Sequence, residues 1–221
     1  MAAVGDSNPI PPTTTRSAGT ERRTACEQLD ENVRIVHRLF LTTEKFFKHF
    51  NELRFGNPEY SNRDLTLRGL PELSTSFTDW ESLTSEVRLT TMRHNLHQLY
   101  PFLDVLEVDE GEAVVREAGR LEEKLSRQLQ NVLSHTRSLM RAISTTMHLM
   151  EIENDETDNA TPAPVHLSET PSEYDRSLRD HIIVRDFVDF LRRVQRDFMK
   201  LRYNNGCRRT TRSPTHTGRR S

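Results

Sequence analysis

The sequence predicts an all-α protein, a long-chain four-helix bundle of up-up-down-down topology with two long overhand loops. Three observations lead there. The ten prolines fall at 9, 11, 12, 58, 71, 101, 162, 164, 171 and 214, leaving 13–57, 102–161 and 172–213 free of proline, and the chain has only eight glycines. Both residue types break helices, so their confinement marks helical spans between loops. Within the spans, apolar residues recur at three-four spacing, and no alternation with Asn-Gly turns signals a strand. The connections then read long, short, long: about 55–78, 106–112 and about 153–171. A helix of 30 residues is roughly 45 Å long, a span that a loop of ~20 residues can cross. Short joins throughout would have indicated up-down-up-down.

The first helix is expected over about 24–54, with Leu29, Val33, Val36, Phe40, Phe47 and Phe50 on its stripe, Thr43 in the gap, and Leu39, Phe46 and Leu53 widening it. The second carries an unbroken ladder of Leu89, Met92, Leu96, Leu99, Leu103 and Leu106, with Pro101 expected to kink or loosen it. "LEVDEGE", 106–112, reads as the short join. The third stripe is Ala118, Leu121, Leu125, Leu129, Val132, Leu139, Ile143, Met147 and Met150. The fourth is Val184, Phe187, Leu191, Val194, Phe198 and Leu201, preceded by Tyr174 and Leu178. Ser172 or Thr170 suits its N-cap, with Pro171 and Glu173 beside them. Helices this long belong to a bundle or a coiled coil. The domain is expected over 23–203, flanked by unstructured segments at 1–22 and 204–221.

Composition narrows function. Net charge is −2, with 29% charged and 34% hydrophobic residues, which argues against nucleic acid as the main partner of the folded part. No apolar run of 18 or more residues occurs, so no membrane insertion is expected. "MAAVGDSNPIPPTTTRS" has neither a basic n-region nor an apolar h-region, so no secretory signal is read there. Cys26 and Cys207 make no disulfide framework and read as two unpaired thiols of a reduced compartment; a bridge between them requires two helix ends to meet. No glycine loop for phosphate, nucleophile elbow or metal-ligand cluster appears. His94 and His97 lie three apart without a third ligand and read as surface histidines, so neither a metal nor a cofactor is expected. Asn159 begins an Asn-Ala-Thr glycan acceptor, usable only on the secretory route. The tail "CRRTTRSPTHTGRRS" carries five arginines and no acid, and reads as solubilising ahead of heparin, nucleic acid or nuclear import.

The only tryptophan, Trp80, stands in "FTDWESLTSEVRL" outside every stripe. It is either a plug over the end of the core or a contact for a partner. Here the residues begin to resemble a family, the ciliary neurotrophic factor and cardiotrophin-like branch of the long-chain cytokines. Trp80, Leu83, Thr84, Arg88 and Leu89 are similar to its loop-to-second-helix junction. Glu44, Phe46, Lys48 and His49 resemble its Glu-x-aromatic-x-Lys-His, and Arg22, Arg23 and Cys26 its Arg-Arg-x-x-Cys start. Arg193, Asp197 and Phe198 match its arginine-rich closing turns. The resemblance covers about 22–203 and leaves both tails outside.

The resemblance implies a monomeric neurotrophic growth factor with three receptor surfaces and no enzymatic activity. Site one, for a ciliary neurotrophic factor type specificity receptor, uses Trp80 and Arg193. Site two, for glycoprotein 130, uses exposed faces of the first and third helices. Site three, for a receptor of the leukaemia inhibitory factor type, needs a Phe and a Lys three residues later. The chain has Tyr174 and Ser177 there, with Arg176 or Arg179 as neighbouring sources of charge. Trp, Tyr and Arg are the residue types favoured at interface hot spots. The plainer alternatives are a core role for Tyr174, in phase with Leu178, and a merely solvated Arg193. Like members that lack a leader, the chain is expected in the cytoplasm and, after release, outside the cell. The competing hypothesis is a cytosolic helical adaptor whose basic tail is its address.

Overall fold

The computed structural model describes residues 18–72, 76–117, 120–153 and 172–207. Those residues are all-helical: α1 (Ala18–Phe55), α2 (Phe77–Ser82), α3 (Ser85–Glu117), α4 (Arg120–Leu149) and α5 (Glu173–Asn204). Three-four spacing puts each apolar stripe on one face, and burial of those faces holds the bundle together. Every member of the α3 ladder from Leu89 to Leu106 is buried, as is every member of the α5 stripe from Val184 to Leu201. On α1, Leu29, Val36, Leu39, Phe46 and Phe50 are buried, with Thr43 between them donating to the Leu39 carbonyl. The four long helices share a single core cluster.

Side-chain contacts order the helices. α1 meets α5 through Asp30–Arg202, Glu44–Arg192 and Asn51–His181. It meets α4 through Asn32–Thr146 and His49–Gln128. α3 meets α5 through Arg88–Asp197 and Asp109–Arg179. In each set, residue numbers rise along one helix as they fall along the other.

The loop after α1 follows the bundle back towards the start of α3. Gly56, at φ +66°, ends α1 in the left-handed conformation that glycine adopts at least cost. Arg185 donates to the carbonyls of Asn62 and Leu65, at 2.9 Å for the latter. Leu67 and Leu70 then pack on the core. A six-residue helix, α2, follows. Ser76 caps it by accepting from the Asp79 N–H (3.1 Å) and donating to the Asp79 carboxylate (2.7 Å). Ser172 begins α5 with the same Ser-x-x-Asp arrangement.

Four expectations change. The short join does not lie at 106–112: α3 continues to Glu117, because Ala113 and Glu110 are buried and the Glu110 carboxylate is held by Arg54 at 3.0 Å. Pro101 lies inside α3, which continues past it. Leu121 is not core; it is 61% exposed, and Glu122 in the same first turn is the buried residue. α1 begins at Ala18, before the expected domain start. Cys26 and Cys207 are not free but form a disulfide, 5.4 Å between Cα atoms. Gly206, at φ +62°, and the hydrogen bond from Cys207 N–H to the Arg202 carbonyl turn the chain back from α5 towards α1. Ala118, Thr170 and Asn159 lie outside the described residues.

Candidate functional site

Burial explains where charge settles around Trp80. Arg88 precedes Leu89 on α3 and is in phase with Met92; Asp197 precedes Phe198 on α5 and is in phase with Val194 and Leu201. Both therefore fall on the inward side of their helices, and both are buried. A buried charge needs a partner. Arg88 Nη1 donates to Asp197 Oδ1 at 2.6 Å. The Trp80 indole N–H donates to the same oxygen, also at 2.6 Å. Arg88 Nη2 also reaches the backbone carbonyls of Trp80 and, at 3.3 Å, Glu81. The guanidinium lies 4.6 Å from the indole centroid, a cation–π contact away from bulk water. Burial pushes the Asp197 carboxyl above the ordinary carboxylate range, while the hydrogen bonds from Trp80 and Arg88 pull the other way.

Trp80 is thus a staple that ties α2 to α3 and α5, and its ring remains half-exposed. On one side is a cleft of about 210 Å³ lined by Phe77, Leu83, Met92, Phe190, Arg193 and Val194 among others. On the other is an open hollow with Arg196, Met199, Lys200 and Tyr203. Phe77 packs on Trp80 at 5.8 Å between centroids yet is 69% exposed, and Tyr203 is 79% exposed. Large aromatics left in water beside cations are the composition of a contact surface. Arg193 is half-buried in this patch, and burial, with Arg196 nearby, lowers its pKa.

The structure brings Trp80 and Arg193, the two residues expected at site one, into the lining of one cleft. Tyr174, in the first turn of α5, is 61% exposed and so is not core. Arg176 is half-buried and lies 3.9 Å from Glu112. Ser177 and Arg179 are buried: Ser177 donates to the Glu173 carbonyl at 3.0 Å, and Arg179 is held by Asp109 and by Asp180 (2.8 Å). At this end, therefore, Tyr174 and part of Arg176 reach solvent.

Sequence reasoning missed the Arg88–Asp197 pair as the thing that positions Trp80. The signal was present: each charge stands directly before a stripe residue, Arg88 before Leu89 and Asp197 before Phe198. Among the described residues, no group of three or more His, Cys, Asp or Glu is placed to hold a metal ion, and no helix is long and apolar enough to cross a membrane. Comparison with family models, curated proteins and solved structures gave no match.

Proposed function

We propose that the chain is a helical cytokine that acts outside the cell by assembling signalling receptors, and that its bundle is up-up-down-down. The contacts of α4 and α5 with α1 and α3 support that topology, as does a first loop that passes Arg185 and the core before α2. The observation that carries the functional reading is the patch around Trp80. Phe77, Tyr203 and the indole face are left at the surface, flanked by Arg193, Arg196 and Lys200 and held on the buried Arg88–Asp197 pair. This is the position the family resemblance assigns to the specificity receptor. Tyr174 supplies an exposed aromatic at the start of α5, where the resemblance assigns a receptor of the leukaemia inhibitory factor type. The Cys26–Cys207 bond favours an oxidising compartment and so supports an extracellular protein over a cytosolic adaptor.

The test is a titration of the full, disulfide-bonded chain against soluble ectodomains of a ciliary neurotrophic factor type receptor, glycoprotein 130 and a leukaemia inhibitory factor type receptor. Saturable binding to the first, and a larger complex when all three are present, is the expected result. A monomer that binds none of them would return the chain to the adaptor reading.

A further inference from the structure

We infer that the exposed face of α4 binds a linear sulfated polysaccharide, through Arg120, Lys124, Arg127 and, further along, Arg141. The chain as a whole is slightly acidic, but charge is segregated along this helix. From Lys124 to Leu149, α4 contains no acidic residue, and of the two in its first turn Glu122 is buried. Glu123 is the one exposed carboxylate, 3.5 Å from Arg127. Among the residues whose side chains are described, Arg120, Lys124 and Arg141 form no ion pair with a carboxylate, and Arg141 donates to the Ser138 hydroxyl at 3.4 Å. Arg137 is a weaker candidate, because it donates to the Tyr100 hydroxyl at 2.7 Å and feels Asp104 and Glu107 across the α3–α4 seam.

The geometry suits an extended polyanion. Arg120, Lys124 and Arg127 are separated by four and three residues, so they share one helix face within roughly 10 Å. Arg141 lies roughly 30 Å from Arg120 along the axis. The first three line an open groove of about 490 Å³ with Gln128, Asn131 and the exposed Leu121. Its lining offers guanidinium, ammonium and amide donors and no carboxylate. Sulfate oxygens accept from such donors, and arginine presents two parallel N–H groups to them. Nucleic acid fits less well: no aromatic side chain lines the groove to stack a base. The disulfide adds an independent argument, since the abundant polyanions of an oxidising, extracellular setting are sulfated glycans. This inference concerns a different face from the Trp80 patch and does not rest on the receptor reading.

The full-length, disulfide-bonded protein should be titrated against heparin across a salt series. Three proteins decide the matter: wild type, Arg120→Gln/Lys124→Gln/Arg127→Gln, and a variant with Arg208, Arg209, Arg212, Arg219 and Arg220 of the tail all replaced by Gln. The α4 variant should bind about tenfold or more weakly with a shallower salt dependence and an unchanged melting temperature. The tail variant should lose less. If the triple variant melts early, Lys124→Gln alone should still weaken binding by about threefold. Wild-type heparin affinity in the α4 variants, or complete loss in the tail variant alone, would overturn the proposal. So would equally tight binding to double-stranded DNA or to vesicles containing phosphatidylserine, which would make the face a general cation surface.

Discussion

The two ends of the bundle both bury charge, with opposite balance. At the end closed by the Cys26–Cys207 bond, Asp197 is the buried carboxylate among the described residues; it is met by Arg88 and lies near Arg193 and Arg196. At the other end, Asp109, Glu110 and Asp180 gather around Arg54 and Arg179. The cations around Asp197 offset part of the upward push of burial; surplus carboxylates leave Asp180 poorly compensated. Burial, with Asp109 and Glu110 adding to it, raises the Asp180 pKa to about 7 against the pull of Arg179. Its neighbour His181, buried against Phe47, Phe55 and Tyr60 and close to Arg185, is lowered to about 4. Burial raises both carboxyls, but at Asp197 the neighbouring charges all oppose it, whereas at Asp180 two carboxylates add to it.

The sharpest way to break this comparison is to remove the arginine at each end. Arg88→Met leaves Asp197 buried with the Trp80 N–H alone, and should cost about 3–5 kcal/mol in urea unfolding. Arg179→Met should cost clearly less near pH 5, because Asp180 can take up a proton and become neutral. Equal losses at that pH would show that the two ends do not differ as described. Next in size is the disulfide. The bridge closes a loop spanning 181 residues, and on the chain-entropy account Cys26→Ser/Cys207→Ser should lower stability by up to about 5 kcal/mol. Unchanged stability would mean that the two chain ends are held together equally well without it.

A third effect comes from the Asp180–His181 pair. Between about pH 4 and 6.5, the unfolded chain holds His181 protonated and Asp180 ionised, and the folded chain holds the reverse. Each state binds one proton, so the pair gives the wild type little slope of stability against pH. Asp180→Asn leaves the depressed His181 alone, and stability should then fall as pH drops from 6.5 towards 4, by up to ~1.4 kcal/mol per pH unit. His181→Gln leaves the raised Asp180 alone; its contribution is complete below about 3.8 and lost as pH rises through about 7. Parallel slopes in the two variants would contradict the assignment.

These contrasts also show what could be read in the sequence. The α3 and α5 stripes were legible because every position in them is filled by a large apolar residue that the core buries. α2 was not, since six residues with no buried side chain leave no stripe, and only the Ser76–Asp79 cap could have announced it. "LEVDEGE" looked like a loop because its four acids are polar and its glycine is helix-breaking in isolation. What keeps it helical is tertiary: Arg54, from the end of α1, holds Glu110. Trp80 was legible as an outlier but not as a staple, because Arg88 and Asp197 lie 109 residues apart and meet only when α3 packs on α5. The disulfide depended in the same way on two distant helix ends coming together.

The smallest effects belong to the surface positions, and they carry the functional account. Tyr174→Ala and Arg193→Ala remove side chains outside the core, so each should change stability by no more than about 0.5 kcal/mol. Trp80→Ala is a poorer probe, because it also strips a donor from Asp197. The direct measurement is a cross-titration of both variants and the wild type against the two receptor ectodomains. Arg193→Ala should weaken the specificity receptor by about tenfold or more while leaving the leukaemia inhibitory factor type receptor unchanged, and Tyr174→Ala should do the converse. Wild-type affinities throughout, or equal weakening of both receptors by either variant, would contradict the claim that the two ends engage different receptors.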